Sequence, residues 1–166
     1  MSNVYKLILI ISFSIFSSSL LADPFLNASC KYQIDKNLLI SIAVRESSLR
    51  TRATNKNRNG SIDTCMMQIN LTEWLPKLPH LTREQIESDV YLCVEVGAWV
   101  LAQNFASHGR TWLSVGAYNA GFTKELEEVR DAYISDIQMI YRNVHDGRYD
   151  NKLRQLGIDR KNNSCL

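Results

Sequence analysis

The clearest pattern in the chain is an apolar stripe that recurs every three or four residues after position 35, the spacing of one face of an α-helix. Asp35 is a good N-cap for this helix. Extending the stripe by one turn leads to Glu46 and Ser47, so a carboxylic acid continues an otherwise apolar face near the predicted end of the helix. The apolar members of the stripe are Leu38, Leu39, Ile42 and Ala43.

Most of the remaining chain also has helical patterning. Thr82 and Gln85 match a capping box, Gly109 and Gly121 are typical residues just past a helix end, and Gly116 inside a helix indicates close packing against a neighbour. Strand patterns are few, so the fold class is predicted to be all-α. The predicted helices start at Asp35 and Thr82 and cover residues 64–70, 88–108, 111–121 and 124–144.

The N-terminus has the pattern of a secretory signal peptide. One positive charge precedes an apolar run over residues 7–16, and Ala22 is a small residue at a suitable cleavage point. The run is too short for a bilayer span of about 20 residues. Removing residues 1–22 from the 166 leaves 144, a length that suits one domain. We expect that domain to cover residues 23–145 and a polar C-terminal tail to cover residues 146–166.

Charge and cysteine content limit the possible functions. The expected mature chain has 18 basic and 17 acidic residues, which argues against a nucleic-acid-binding protein. Its four cysteines are compatible with disulfides in an exported protein and allow three complete pairings. The three histidines lack metal-ligand spacing, and we expect neither a metal nor another cofactor.

Glu46 is the most informative polar residue. On a partly desolvated face its pKa would rise, which favours the protonated form that a general acid needs. The alternative is an ion pair at the helix end with one of the nearby arginines at 45, 50 and 52. The spacing by itself does not separate these two interpretations.

The segment "GSIDTCMMQIN" (60–70) contains a second acid, Asp63, and a thiol, Cys65. Asp63 is either the second carboxylate that glycoside hydrolysis commonly needs or the N-cap of the helix predicted over 64–70. Cys65 has no Cys-His signature and is expected to be a buried side chain or a disulfide partner. Met66, Met67 and Ile69 are expected in the core, whereas Gln68 and Asn70 could offer amides to a ligand.

Two other patterns were considered for ligand binding. Asn55, Asn57 and Asn59 imitate the start of a calcium loop, but the interleaved cations and the missing closing Glu favour a polar turn. The segment "GAYNAG" (116–121) places Tyr118 and Asn119 where a ring and an amide could meet a sugar. Tyr133 and Tyr141 are eight residues apart and could both point inward from one helix, towards the core or towards a cleft.

Three segments, "ESS" (46–48), "NGSIDTCMMQIN" (59–70) and "GAYNAG" (116–121), resemble in order and spacing the lytic transglycosylases with a lysozyme-like fold. The resemblance extends from about residue 34 to 141. It is strongest to the small exported enzymes that accompany type III and type IV secretion systems and conjugative pili. It implies a single lysozyme-like domain in the periplasm with peptidoglycan as substrate and, as a partner, a rod or needle-complex subunit.

The resemblance also implies roles for individual residues. Glu46 corresponds to the family's acid and base, which cleaves the β-1,4 bond between N-acetylmuramic acid and N-acetylglucosamine and closes a 1,6-anhydro ring. The residues implied to line the glycan cleft, the last two as candidates for a family tyrosine near the acid, are Ser47, Met67, Gln68, Tyr118, Asn119, Tyr133 and Tyr141.

The chain departs from the family pattern at several positions. "CMMQ" replaces the usual "GLMQ", so Cys65 stands where glycine is expected and Met66 where leucine is expected. Cys30 and Cys93 are implied to form a displaced version of the family disulfide. Asp63 raises the alternative of a muramidase that adds water. A further alternative is an assembly factor that binds glycan without turnover.

Overall fold

The structure, a computed structural model, describes residues 23–165 as one helical domain with a small sheet. The all-α, lysozyme-like prediction is confirmed. The helices are α1 (Pro24–Tyr32), α2 (Lys36–Ser47), α3 (Leu71–Trp74), α4 (Arg83–Ser88), α5 (Val90–His108), α6 (Trp112–Ala120), α7 (Glu127–His145) and α8 (Asp150–Gln155), with 3-10 turns at Leu75–Lys77 and Lys124–Leu126; the strands are β1 (Thr54–Lys56), β2 (Ile62–Thr64) and β3 (Ile69–Asn70).

The helix ends follow the capping signals in the sequence. The Asp35 carboxylate accepts hydrogen bonds from the first backbone N–H groups of α2, and Thr82 and Gln85 form the predicted capping box of α4. Thr111 caps α6, and Gly109 follows the last residue of α5. Side-chain oxygens satisfy the N–H groups that a helix start leaves unpaired, so these predictions were confirmed.

The core lies around α5, which packs against α1, α4 and α6, while α2 and α6 also pack on α7. Gly116 lies on the face of α6 that packs closely against α7. A Cβ at this position would come within 2.5 Å of Arg130 Cγ and 2.8 Å of Ile134 Cγ1. The prediction of close packing at Gly116 is therefore confirmed.

The helix predicted over residues 64–70 is wrong. Residues 62–64 form β2, a turn follows, and residues 69–70 form β3, so that β1, β2 and β3 make an antiparallel sheet in this order. Cys65 and Gln68 both have positive φ, 60° and 49°, which no α-helix accommodates. The sequence pattern suggested a helix because several consecutive residues of the segment are apolar. These residues are buried from a tight turn and not from a helix.

The predicted Cys30–Cys93 disulfide is also wrong, because both cysteines have other partners. Cys30 of α1 is bonded to Cys165, and Cys93 of α5 is bonded to Cys65 in the turn after β2. Cys65 and Cys93 are almost completely buried, which places their disulfide in the core between the sheet and α5. The disulfide of Cys30 instead joins the two ends of the described chain.

The C-terminal segment, residues 146–165, contains the short helix α8 and packs onto the domain. Leu153 of α8 and Ile158 are buried in the main core. Lys36, itself buried, donates hydrogen bonds from Nζ to the carbonyl oxygens of Asp159 and Asn162 and forms a 2.7 Å ion pair with Asp23. The segment is thus fixed by apolar burial, by Lys36 and by the Cys30–Cys165 disulfide.

The predicted signal peptide, residues 1–22, lies outside the described residues. Within residues 23–165, none of the helices combines the length and apolar character needed to cross a bilayer.

Candidate active site

A cleft of about 590 Å³ runs between the end of α2, the sheet and the end of α6. Its lining is mostly polar. The residues that line it are Glu46, Arg50, Ala53, Thr54, Asn55, Asn57, Asp63, Gln68, Ile69, Asn70, Glu73, Trp74, Val100, Tyr118 and Asn119. We call this space the catalytic cleft.

Glu46 reaches the cleft from the last turn of α2. The helix ends at once, because Ser48 and Leu49 adopt the left-handed conformation with φ of 53° and 61°. The Tyr133 hydroxyl of α7 donates a 2.6 Å hydrogen bond to Glu46 Oε1. An ion pair between Glu46 and an arginine is absent among the ion pairs of residues 23–165, where Arg45 instead pairs with Asp136.

The environment of Glu46 raises the pKa of its carboxyl group. Burial is the largest cause, and the negative charge of Asp63 acts in the same direction. The hydrogen bond from Tyr133 and the positive charge of Arg45 oppose it, but burial prevails. Glu46 is thus more readily protonated than an ordinary glutamate, as a general acid requires.

Asp63 lies on β2 and lines the cleft, near enough to Glu46 for its charge to raise the pKa of Glu46. Asn57 Nδ2 donates a 2.8 Å hydrogen bond to Asp63 Oδ2. The helix-cap interpretation of Asp63 fails, since no helix follows it. The structure therefore brings the carboxyl groups of Asp63 and Glu46 to one cleft, as in glycosidases that use a pair of acids.

The sheet presents a row of amides beside Asp63. Asn55, Asp63 and Asn70 are direct cross-strand neighbours in the register and lie on the same face. Asn57 follows Asn55 by two residues, and all four line the cleft. The predicted polar turn is present at residues 57–60, where the Gly60 N–H donates to the carbonyl oxygen of Asn57, whereas Asn55 lies on β1, a strand that was not predicted.

Gln68, Tyr118 and Asn119 line the cleft as the resemblance implied. The Gln68 side-chain amide donates to the carbonyl oxygen of Cys65 at 2.9 Å, which fixes the turn between β2 and β3. The Tyr118 hydroxyl donates to the carbonyl oxygen of Met67 at 2.9 Å, so that α6 is fixed to the same turn. Burial raises the pKa of Tyr118 well above its usual value, and its hydroxyl stays neutral.

Ser47 and Met67 lie outside the cleft lining and support its wall from behind. Ser47 is buried and donates from Oγ to the carbonyl oxygen of Met66 at 2.9 Å, which joins α2 to the turn. Met67 is completely buried against Gly97 of α5, where an added Cβ would come within 2.7 Å of the Met67 side chain. Neither side chain is placed for the sugar contact that was implied.

The two candidate tyrosines have different positions. Tyr133 is 2% exposed and contacts Glu46, as described above. Tyr141 donates instead to Asp35 Oδ2 at 3.0 Å, at the start of α2. Glu46 lies eleven residues further along that helix, about 16 Å away at 1.5 Å per residue. The implied role of Tyr141 in the cleft is therefore wrong.

Cys65 occupies a backbone position that favours glycine. Its φ of 60° lies in the left-handed region, which explains why glycine is the usual residue in the motif it resembles. The side chain points into the core, is 1% exposed and is bonded to Cys93. It therefore does not narrow the cleft, and the bond to α5 stabilises the turn in this conformation.

The sequence did not indicate that Trp74, Glu73 and Arg50 line the cleft. Trp74 packs edge-on against Trp99 with ring centroids 5.5 Å apart and carries Lys77 Nζ at 4.0 Å from its ring centroid. Glu73 and Arg50 add one charge of each sign. They come from short irregular segments, for which periodicity gives little signal. Among residues 23–165, no group of three or more His, Cys, Asp or Glu residues could hold a metal.

Comparison with known proteins gives consistent matches. The family described as "Transglycosylase SLT domain" matches residues 23–140. "Invasion protein IagB" of Salmonella typhi is 34% identical over 139 residues, covering 82% of this chain and 86% of its own. "Protein IpgF" of Shigella flexneri is 35% identical over 125 residues, covering 74% and 82%. "Peptidoglycan-binding-like protein" of Escherichia coli O157:H7 is 30% identical over 153 residues, covering 87% and 89%.

Proposed function

Since the chain belongs to the transglycosylase SLT family and is a peptidoglycan lytic transglycosylase, we propose that it cleaves the β-1,4 bond between N-acetylmuramic acid and N-acetylglucosamine with closure of a 1,6-anhydro ring. The observation that carries the proposal is Glu46, a partly buried carboxyl group with a raised pKa that opens onto a polar cleft beside the Asp63 carboxylate.

In the proposed first step, protonated Glu46 donates its proton to the bridging oxygen. The bond from that oxygen to C1 of the muramic acid breaks, and the N-acetylglucosamine leaves as an alcohol. The acetamido oxygen of the substrate stabilises the cationic C1, and the Asp63 carboxylate adds electrostatic stabilisation from the sheet. The Tyr133 hydrogen bond orients Glu46 and stabilises the anion that remains.

In the second step, ionised Glu46 accepts the proton of the C6 hydroxyl while the C6 oxygen forms a bond to C1. The ring closes, no water is consumed, and Glu46 returns to its protonated state. One residue can serve as acid and then as base because its pKa lies closer to the working pH than that of an exposed glutamate. Gln68, Asn119 and the amides of the sheet would position the sugars.

Replacing Glu46 with Gln tests the catalytic assignment. Glu46→Gln is expected to lower the release of soluble fragments from purified sacculi by roughly 10²-fold or more, the range for loss of a general acid. Glu73→Gln is a matched control, because it makes the same chemical change in the same cleft. The Tyr133 hydroxyl donates its hydrogen bond to Glu46 and not to Glu73. Equal activity of Glu46→Gln and wild type would contradict the assignment.

The placement of Asp63 favours a second candidate, a muramidase in which water attacks C1. Asp63→Asn distinguishes the two through the products. If Asp63 only stabilises charge, the variant is slower but still forms anhydro ends. If Asp63 directs hydrolysis, wild type forms reducing ends and the variant loses them.

We further propose that residues 1–22 are a signal peptide and that the mature enzyme acts in the periplasm. The family match supports this, since it starts at Asp23, directly after the expected cleavage point. The name of the Salmonella relative refers to invasion, and the motifs resemble those of enzymes that accompany secretion systems. We therefore propose that the enzyme opens the wall locally for a type III or type IV apparatus and contacts a rod or needle-complex subunit.

A further inference from the structure

A second groove lies next to the catalytic cleft. It has a volume of about 500 Å³ and is lined by residues 49–54 together with Lys152 and Leu156. Arg50, Ala53 and Thr54 line both spaces, so the two are adjacent. We call the second space the side groove.

The side groove is basic. Arg50, Arg52 and Lys152 line it, and no aspartate or glutamate of the described residues does. None of the three cations takes part in an ion pair within residues 23–165. Arg50 Nε donates to the carbonyl oxygen of Ser47 at 3.0 Å, which fixes this side chain at the junction with the cleft. Such a groove attracts anions, and its apolar members, Ala53 and Leu156, leave contact surface between the charges.

The C-terminal segment forms one wall of the side groove. Lys152 and Leu156 come from α8 and the residue after it, beyond the family match at residues 23–140. Burial of Leu153, the Lys36 hydrogen bonds and the Cys30–Cys165 disulfide fix this segment. Part of the wall of the side groove therefore lies beyond the residues that the family match covers.

We propose that the side groove binds the anionic peptide stem of the muramic acid that is being cleaved, so that the enzyme prefers peptide-bearing glycan to bare glycan. This inference rests on the proposed function. The muramic acid bonded to the oxygen that Glu46 protonates must lie beside Glu46, and its lactyl group carries the stem. Arg50 follows Glu46 by four residues and lines both spaces. Stem peptides combine free carboxylates with small apolar side chains, which match the cations and the apolar members of the groove.

The test compares glycan strands that carry stem peptides with the same strands after an amidase has removed them. Wild type is expected to cleave the peptide-bearing strands with the higher kcat/KM, and this preference should fall as salt screens the charges. The variant Arg52→Glu/Lys152→Glu changes the groove without altering residues of the cleft lining. Its kcat/KM should drop roughly tenfold on peptide-bearing strands, the order for several partly exposed charge contacts, and stay the same on bare strands.

The matched control is Arg142→Glu/Lys161→Glu, which makes the same change in net charge at two exposed positions outside the side groove. Equal wild-type rates on both strands would overturn the inference and leave an acidic protein segment as the candidate occupant. A groove variant that behaves like the control, or that loses activity equally on both strands, would also overturn it.

A binding measurement separates this inference from the proposed function. Calorimetry with Glu46→Gln measures the affinity for a soluble disaccharide with and without its stem, and no turnover is needed. Tighter binding of the stem-bearing form that disappears with the groove variant supports the inference even if wild type cleaves neither strand, a result that contradicts the proposed function alone. If the double variant fails to fold, Arg52→Gln alone gives the same comparison.

Discussion

The surroundings of Glu46 shift its pKa in opposite directions, and the opposing effects come from separate residues. Burial and the charge of Asp63 raise the pKa of Glu46, whereas the Tyr133 hydroxyl and the charge of Arg45 lower it. Because Tyr133 and Asp63 belong to different elements, α7 and β2, each influence can be removed without the other. The pH dependence of activity therefore tests the electrostatics one residue at a time.

Activity that needs protonated Glu46 falls as the pH rises through its pKa, which sets the alkaline limb of kcat/KM. Asp63→Asn removes a charge that raises this pKa, so the limb should move to lower pH. Tyr133→Phe removes a hydrogen bond that favours the ionised form, so the limb should move to higher pH. Shifts in the same direction, or none, in profiles measured on soluble glycan would contradict the assignment of the acid.

The same raised pKa makes Glu46 costly to ionise in the folded protein. A group whose folded pKa lies above its unfolded pKa of about 4.3 contributes stability below that pH, and this contribution is lost as the pH rises through the folded pKa. Glu46→Gln keeps a neutral side chain that can still accept the Tyr133 hydrogen bond. It should therefore melt at a higher temperature than wild type at pH 8, with a difference that disappears near pH 4. Equal melting temperatures of wild type and Glu46→Gln at pH 8 would show that burial does not penalise the Glu46 carboxylate.

At the scale of elements, the turn after β2 connects the cleft wall to the core. The Ser47 and Tyr118 hydroxyls donate hydrogen bonds to its carbonyl oxygens. Met67 of the turn packs against Gly97, and Cys65 forms a disulfide with Cys93 of α5. Ser47 and Met67, for which the family resemblance implies glycan contacts, thus maintain the shape of the cleft wall. Cys65 and Gln68 of this turn both have the left-handed conformation, which is unfavourable for residues other than glycine.

Replacing the Cys65–Cys93 pair in two ways separates the backbone from the disulfide. Cys65→Gly/Cys93→Ala should be more stable than Cys65→Ala/Cys93→Ala by about 1 kcal/mol, because alanine keeps the unfavourable φ without the disulfide. Denaturant unfolding under oxidising conditions measures the difference. Alanine that is equal to or better than glycine would mean that the left-handed conformation is not retained.

The helices were largely predictable, because their capping residues and apolar stripes are local signals that Asp35, Thr82 and Thr111 carry. The sheet was not, because β2 and β3 are three and two residues long and their segment has buried side chains in a helix-like spacing. Cys30 and Cys165 are 135 residues apart, and no local pattern indicates that pairing. Glu46, Asp63 and Gln68 line the cleft in the structure, whereas the positions of Ser47, Met67 and Tyr141 depend on side-chain directions that only the folded chain determines.

At the scale of the whole molecule, α1 and the C-terminal segment are joined by the Cys30–Cys165 disulfide and by Lys36. The disulfide closes a far longer loop than Cys65–Cys93, 135 residues against 28. In the chain-entropy model, closing the longer loop raises the free energy of the unfolded state by about 5 kcal/mol, and closing the shorter one raises it by about 3.5 kcal/mol.

Cys30→Ala/Cys165→Ala should therefore lower the free energy of unfolding by about 2 to 5 kcal/mol and leave the catalytic cleft assembled, since both cysteines lie outside its lining. The check is denaturant unfolding together with activity on bare glycan strands at a temperature where the variant is folded. A folded variant that is inactive on bare strands would show that the closure of the chain ends also shapes the cleft.

In the proposed reaction, Glu46 closes a 1,6-anhydro ring without consuming water. Mass spectrometry of the muropeptides that the mature protein releases from purified sacculi shows whether it does. The prediction is products one water lighter than reducing-end muropeptides, unchanged by borohydride and absent with Glu46→Gln. Reducing-end products that borohydride converts would contradict the claim and establish a muramidase.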